Sequence, residues 1–140
     1  MGRIMAIDYG RKRTGLAVTD TMQLIANGLT TVQSCKAVEY IKTYTSQETV
    51  DLFVIGEPKQ MNNEPSENMR YVEVFVKQRR KAIPEIPTEY FDERFTSVMA
   101  HKAMIEGGLK KKKRQGKALV GEIRAILILQ GYLEKERLLL

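Results

Sequence analysis

Residues 3–19 read RIMAIDYGRKRTGLAVT, and the reading of this stretch decides the architecture. Two short apolar runs, residues 3–8 and 14–19, flank Tyr9-Gly10-Arg11-Lys12-Arg13. That spacing predicts a β-hairpin with a basic loop. Working outward, residues 29–32 supply a third strand, and residues 37–48 place Val38, Ile41 and Tyr44 on one side of an amphipathic helix. Residues 52–55 (LFVI) are unbroken apolar before Gly56 and Pro58, as a strand buried on both faces would be. Ser66 followed by Met69, Val72, Val76 and Arg79 suits a capped helix running to Ala82, stopped by Pro84 and Pro87. Residues 88–91 form a fifth strand candidate, and Thr96 or Ser97 caps a helix that ends at Gly107-Gly108. A last helix starts near Ala118 and carries Ile123, Ile126, Leu127 and Leu133. The order β-β-β-α-β-α-β-α-α predicts an α/β fold, a five-stranded mixed sheet flanked by helices.

The chain has 140 residues, which predicts a single domain spanning 1–140. Its 43% hydrophobic and 29% charged residues exclude wholesale disorder. No apolar run reaches the ~18 residues that cross a bilayer, and the first residues do not form a signal-peptide core, so no membrane partner is expected. Cys35 is the one cysteine, which excludes an internal disulfide and a CxxC metal site and points to a cytoplasmic protein. The net charge of +6 is unevenly placed. Residues 1–100 are formally neutral, whereas residues 101–140 hold ten Lys/Arg against four Asp/Glu. Six of those ten are Lys110, Lys111, Lys112, Lys113, Arg114 and Lys117. Such a cluster repels itself unless anions are near, and a polyphosphate backbone is the common partner; a merely solvated loop is the plainer alternative.

No GxxxxGK[ST] phosphate loop, GxSxG elbow or HExxH occurs. His101 stands alone, which excludes a histidine metal cluster, and Cys35 has no base beside it in sequence. Carboxylates remain. Asp8 sits where a strand gives way to a glycine turn, a rigid place for a Mg²⁺ ligand, although one turn aspartate by itself is commonplace. Asp92 and Glu93 repeat the pattern at the end of the fifth strand, followed by Arg94. Two acid-tipped strands beside a basic loop can hold two divalent ions ~3.5–4 Å apart for phosphodiester hydrolysis. Arg11, Lys12, Arg13 and Arg94 would then meet the phosphates.

Residues 7–20 (IDYGRKRTGLAVTD), 54–75 (VIGEPKQMNNEPSENMRYVEVF), 90–97 (YFDERFTS), the KKKKRQGK run and 126–134 (ILILQGYLE) together resemble the YqgF/RuvX family over essentially the full length. The resemblance implies a ribonuclease H-like fold and a hydrolase acting on ester bonds, a metal-dependent nuclease using Mg²⁺ or Mn²⁺. It implies processing of the 5′ end of pre-16S ribosomal RNA, with the small-subunit precursor as the wider partner. Asp8 matches the family's first-strand aspartate and Glu93 lies in its DER motif, so both are expected catalytic and metal-binding residues, with Asp92 beside them. One position departs: Gly121 stands where the family has a helix aspartate, in a run resembling LVDEISA, and Arg124 replaces a small residue one turn on. Glu122 is the nearest substitute, although successive helix residues point ~100° apart. Glycine here is also a local weakness of ~1 kcal/mol against alanine.

Three function classes follow: the ribosomal RNA nuclease; a Holliday-junction-resolvase-like DNA nuclease, which would need a dimer; and a nucleic-acid-binding member with catalysis impaired by Gly121. A monomer or weak homodimer is expected. A nucleotide-binding domain of the sugar-kinase/actin type shares the DxG hairpin, but this length does not supply its second domain.

Overall fold

The structure is a computed structural model describing residues 2–57, 68–93 and 116–138. The helix expected from Thr96 or Ser97, the Ser66 cap, His101, Arg94 and the run Lys110, Lys111, Lys112, Lys113 and Arg114 lie outside the described residues.

Strands β1 (Arg3–Tyr9), β2 (Arg13–Thr19) and β3 (Ala26–Gln33) form the antiparallel meander, then come α1 (Ala37–Gln47), β4 (Val50–Glu57), α2 (Met69–Ala82), β5 (Thr88–Asp92) and α3 (Gly116–Leu138). The sheet order is β3-β2-β1-β4-β5, with β4 and β5 joined parallel to β1. Each described element falls where the hydrophobic pattern places it. β3 runs longer than expected, because Leu16 pairs with Thr30 and Ala17 with Gly28, so a bulge carries the ladder on to Ala26.

Strand alternation divides the core into two layers. Met5, Ile7, Leu16, Val18, Phe53 and Ile55 face α1 and α2, packing on Ile41, Val72, Phe75 and Val76. Ile4, Ala6, Ala17, Val54 and Phe91 face α3, packing on Ala125, Ile128, Leu129 and Tyr132. The α3 side of β1 and β2 is built from small residues. A Cβ on Gly15 would fall deep inside the Gly121 carbonyl and 2.9 Å from the Glu122 amide nitrogen. The helix backbone therefore lies directly on the sheet there, an approach only glycine permits.

Arg79, which shares the apolar face of α2, is fully buried. Its guanidinium lies over the Phe53 ring at 4.6 Å and donates to the Ile83 and Ile86 carbonyls at 2.9 Å and to the Thr88 hydroxyl. It thereby ties the end of α2 to the start of β5.

Candidate active site

Asp8 follows Ile4 and Ala6 on the alternating face of β1, so its carboxyl looks toward α3. Across the ladder stands Gly15. On the other side, Ile7 pairs with Ile55 of β4, and the next β4 residue is Gly56. Asp8 is thus flanked by two glycines. The gap over Gly56 is filled by Glu93, which comes one residue after β5 on the same face as Phe91. A Cβ on Gly56 would meet Glu93 Oε1 and Ile128 Cδ1 at 2.6 Å each. Glycine at 56 is what lets a side chain from the edge strand reach back toward β1.

The Asp8 and Glu93 carboxyls are hydrogen-bonded to each other. Burial pushes Asp8 up to about 6, against the charge of Arg124 and the bond with Glu93, which pull it down. Burial, reinforced by the neighbouring Asp8 charge, pushes Glu93 up to about 7. Two buried carboxyls in contact cannot both ionise cheaply, so the metal-free pair shares a proton. A hard dication is the partner that would let both ionise, and the donor set fits one through Asp8 and Glu93. Among the described residues, no group of three or more His, Cys, Asp or Glu side chains is placed to hold a metal.

The pair gives stability a definite pH dependence. Both carboxyls have folded pKa values above their unfolded values near 3.8 and 4.5, so the native state holds more protons than the unfolded chain between about pH 4 and 7. Stability without metal is therefore fullest at the acid end of that window and falls as pH rises through it. Thermal melts in EDTA should show Tm falling from pH 5 to pH 8, and Asp8→Asn should flatten that slope. A Tm that rises over this range in the parent but not in Asp8→Asn would contradict the pairing.

Two other expected acids stand elsewhere. Asp92 pairs with Glu57 across β4 and β5, and alternation puts it on the opposite face from Phe91 and Glu93. Its influence on the pair is limited to a charge that raises Glu93, the smallest of the contributions there. The Glu122 carboxylate lies over Gly28 on the edge strand β3, at the level of Ala17. That is two strands from β1, and the structure does not bring Glu122 to Asp8.

At Gly121, where the resemblance implies a helix carboxylate, the sheet does not demand glycine. A Cβ on Gly121 would make ordinary contacts, 3.6 Å from Thr31 Oγ1 and 3.8 Å from the Gly15 Cα. The close packing at this crossing constrains Gly15, whereas position 121 has room for a Cβ.

The basic hairpin loop is held firmly at the Asp8 end of the sheet. A Cβ on Gly10 would meet the Arg13 carbonyl at 2.7 Å, and Gly10 donates to that carbonyl at 3.0 Å. Ser34 donates its amide to the Lys12 carbonyl at 2.9 Å, bonds Thr14 Oγ1 at 2.8 Å, and donates its hydroxyl to the Gly10 carbonyl. Arg11, Lys12 and Arg13 are exposed from this fixed turn. The Arg11 guanidinium lies 4.5 Å from the centre of the Tyr71 ring, and that of Arg70 lies 5.2 Å from it. Arg70 and Tyr71 were not legible as part of this surface, since α2 reads as a packing helix; the RY pair at its start was the available signal. Of Lys117 only the backbone, in the first turn of α3, is described. Cys35 is exposed in the 3-10 turn before α1.

No described helix is long and apolar enough to cross a membrane. The family model described as "RuvX: Holliday junction resolvase" matches residues 2–135. A Parabacteroides distasonis protein named "Putative pre-16S rRNA nuclease" is 66% identical over 137 residues, covering 98% of each chain. A Bacteroides fragilis protein of the same name is 62% identical over 138 residues, covering 99% of this chain and all of the other. Among solved structures, T. thermophilus RuvC in complex with a Holliday junction substrate superposes with a TM-score of 0.60 at 15% identity, covering 96% of both chains. The architecture is ribonuclease H-like, as the sequence resemblance implied.

Proposed function

Because the chain belongs to the RuvX family, we propose that it is a divalent-metal-dependent nuclease, processing the 5′ end of pre-16S ribosomal RNA in the cytoplasm. One observation carries the reading: a buried, hydrogen-bonded Asp8–Glu93 pair at the strand ends beside a pinned basic loop. A nuclease is the activity that the names of the relatives support. Asp8 and Glu93 would hold Mg²⁺ or Mn²⁺, which when bound activates water and neutralises charge developing on the phosphate. The protein's own part is to fix these two carboxyls at the ends of β1 and β5, to bury them where charge is felt strongly, and to bring phosphates in over Arg11, Lys12 and Arg13. Arg94 and the run Lys110, Lys111, Lys112, Lys113, Arg114 and Lys117 would extend that track.

A second reading rests on Gly121: a member that binds nucleic acid normally and cleaves slowly because the helix carboxylate is missing. The family description favours a third, cleavage of branched DNA by a dimer. Labelled pre-16S RNA and a four-way DNA junction, each incubated with Mg²⁺, Mn²⁺ or EDTA, separate the three. Cleavage of the RNA that EDTA abolishes is the expected result. Preference for the junction by a dimer supports the resolvase, and tight binding without cleavage supports the impaired member.

The basic run gives a separate expectation. Replacing Lys110, Lys111, Lys112 and Lys113 with alanine should weaken binding and flatten the salt dependence. Each lost phosphate contact removes ~0.7 from the log–log slope on single strands and ~0.9 on duplex DNA. An unchanged slope would make the run a solvated decoration.

A further inference from the structure

The path of α3 brings the charge of Arg124 to bear on the carboxyl pair. At residue 121 the helix backbone lies on Gly15 of β2, and at residue 128 the Ile128 side chain lies on Gly56 of β4. Seven helical residues advance ~10.5 Å, close to the ~9.6 Å of two strand spacings. Gly15 and Gly56 flank Asp8, so α3 crosses β1 between these points, at residues 124 and 125. Ala125 is fully buried against the layer containing Ala6. Arg124, one step round the helix, is exposed on the rim of the crossing. Its guanidinium favours the ionised forms of both Asp8 and Glu93.

We propose that Arg124 takes the place of a second cation, so that this site binds one divalent ion and presents a guanidinium to the phosphate. The proposal rests on the metal-dependent nuclease reading of the Asp8–Glu93 pair. The charge balance supports it. Two ionised carboxylates with one arginine leave a single negative charge in excess, whereas three carboxylates and no arginine would leave three. One dication already overcompensates the first arrangement, and a second would be repelled by both the ion and the arginine. Arginine suits the vacated role, since its planar fork meets phosphate oxygens through two parallel N–H donors and it never loses its charge. Gly121 and Arg124 thus act together: the missing carboxylate lowers the demand for cations and the added arginine supplies one. A Cβ at position 121 meets only ordinary contacts, so the sheet does not demand glycine there.

The test is metal binding, measured without turnover on the full chain by Mn²⁺ electron paramagnetic resonance and calorimetry. Wild type should bind one Mn²⁺ and Asp8→Asn should bind none. Arg124→Ser should bind Mn²⁺ roughly tenfold more tightly, the screened effect of removing one unit charge beside a dication. Arg124→Lys should stay near wild type. Gly121→Asp combined with Arg124→Ser should take up a second ion. In EDTA, Arg124→Ser should also lose about one phosphate contact from the salt slope of nucleic-acid binding. Two Mn²⁺ ions in wild type, both lost in Asp8→Asn, would overturn the role of Arg124 while leaving the nuclease reading intact. Unchanged affinity in Arg124→Ser would do the same. Absence of Mn²⁺ binding in every variant would overturn both.

Discussion

Asparagine in place of Asp8, or glutamine in place of Glu93, is expected to reduce cleavage by at least 10³-fold while leaving the protein folded. The amide keeps the shape of the side chain and a carbonyl oxygen, but not the charge on which a hard cation depends. Folding should survive, and in EDTA above pH 7 it should improve, because one of two mutually repelling buried carboxyls is gone. Loss of activity with an unchanged or raised Tm separates a chemical role from a structural one. Cleavage by Asp8→Asn at the wild-type rate would end the proposed metal mechanism. The corresponding change at Glu122 should have little effect, since its carboxylate lies over β3.

The second large effect concerns stability. Gly15→Ala adds one methyl group, yet that carbon has nowhere to go: it would sit inside the Gly121 carbonyl and 2.9 Å from the Glu122 nitrogen. Neither is the end of a flexible side chain. The helix must lift or the strand must bend, and overpacking of this kind typically costs ~1–3 kcal/mol, more when backbone meets backbone. A drop in Tm of roughly 5–10 °C is expected. Gly121→Ala, on the opposite side of the contact, should be neutral or slightly stabilising, because its Cβ finds ordinary distances and alanine is the better helix former. Equal effects from the two substitutions would contradict the packing described. Measuring both in parallel by thermal melts decides the matter.

These glycines mark where reading the sequence alone reached its limit. That Asp8 ends an apolar strand was visible at once, but which face its carboxyl takes was not, because β1 is buried on both sides and writes no polar alternation into its sequence. Strand alternation, applied across Phe91, Asp92 and Glu93, separates the two acids of the DER segment; it needs only the knowledge of which face α3 covers. Gly15, Gly28 and Gly56 carried no such signal. A glycine in a strand reads as a weak residue or a bend, and what it makes room for belongs to an element far along the chain. Gly15 admits the backbone of α3, Gly28 the side chain of Glu122, and Gly56 the side chain of Glu93. Gly121 was noticed for the carboxylate it lacks, although the crossing constrains its neighbour Gly15. Arg79 fell on the apolar face of its helix, but that a guanidinium could be fully buried there depended on the Ile83, Ile86 and Thr88 oxygens beyond the helix end.

The two carboxyls that meet over Gly56 come from the first strand and from beyond the last, and α3 must close over them from the C-terminal end of the chain. The β1–β2–β3 meander needs only local pairing and can form early, but it holds just one of the two acids. During synthesis, therefore, the growing chain can present its basic hairpin turn to nearby RNA long before it owns a cutting centre. Cleaving power would switch on only once translation has delivered Glu93 and the final helix. Under the proposed reading, the order of the elements along the chain would itself hold back cutting until the site is complete.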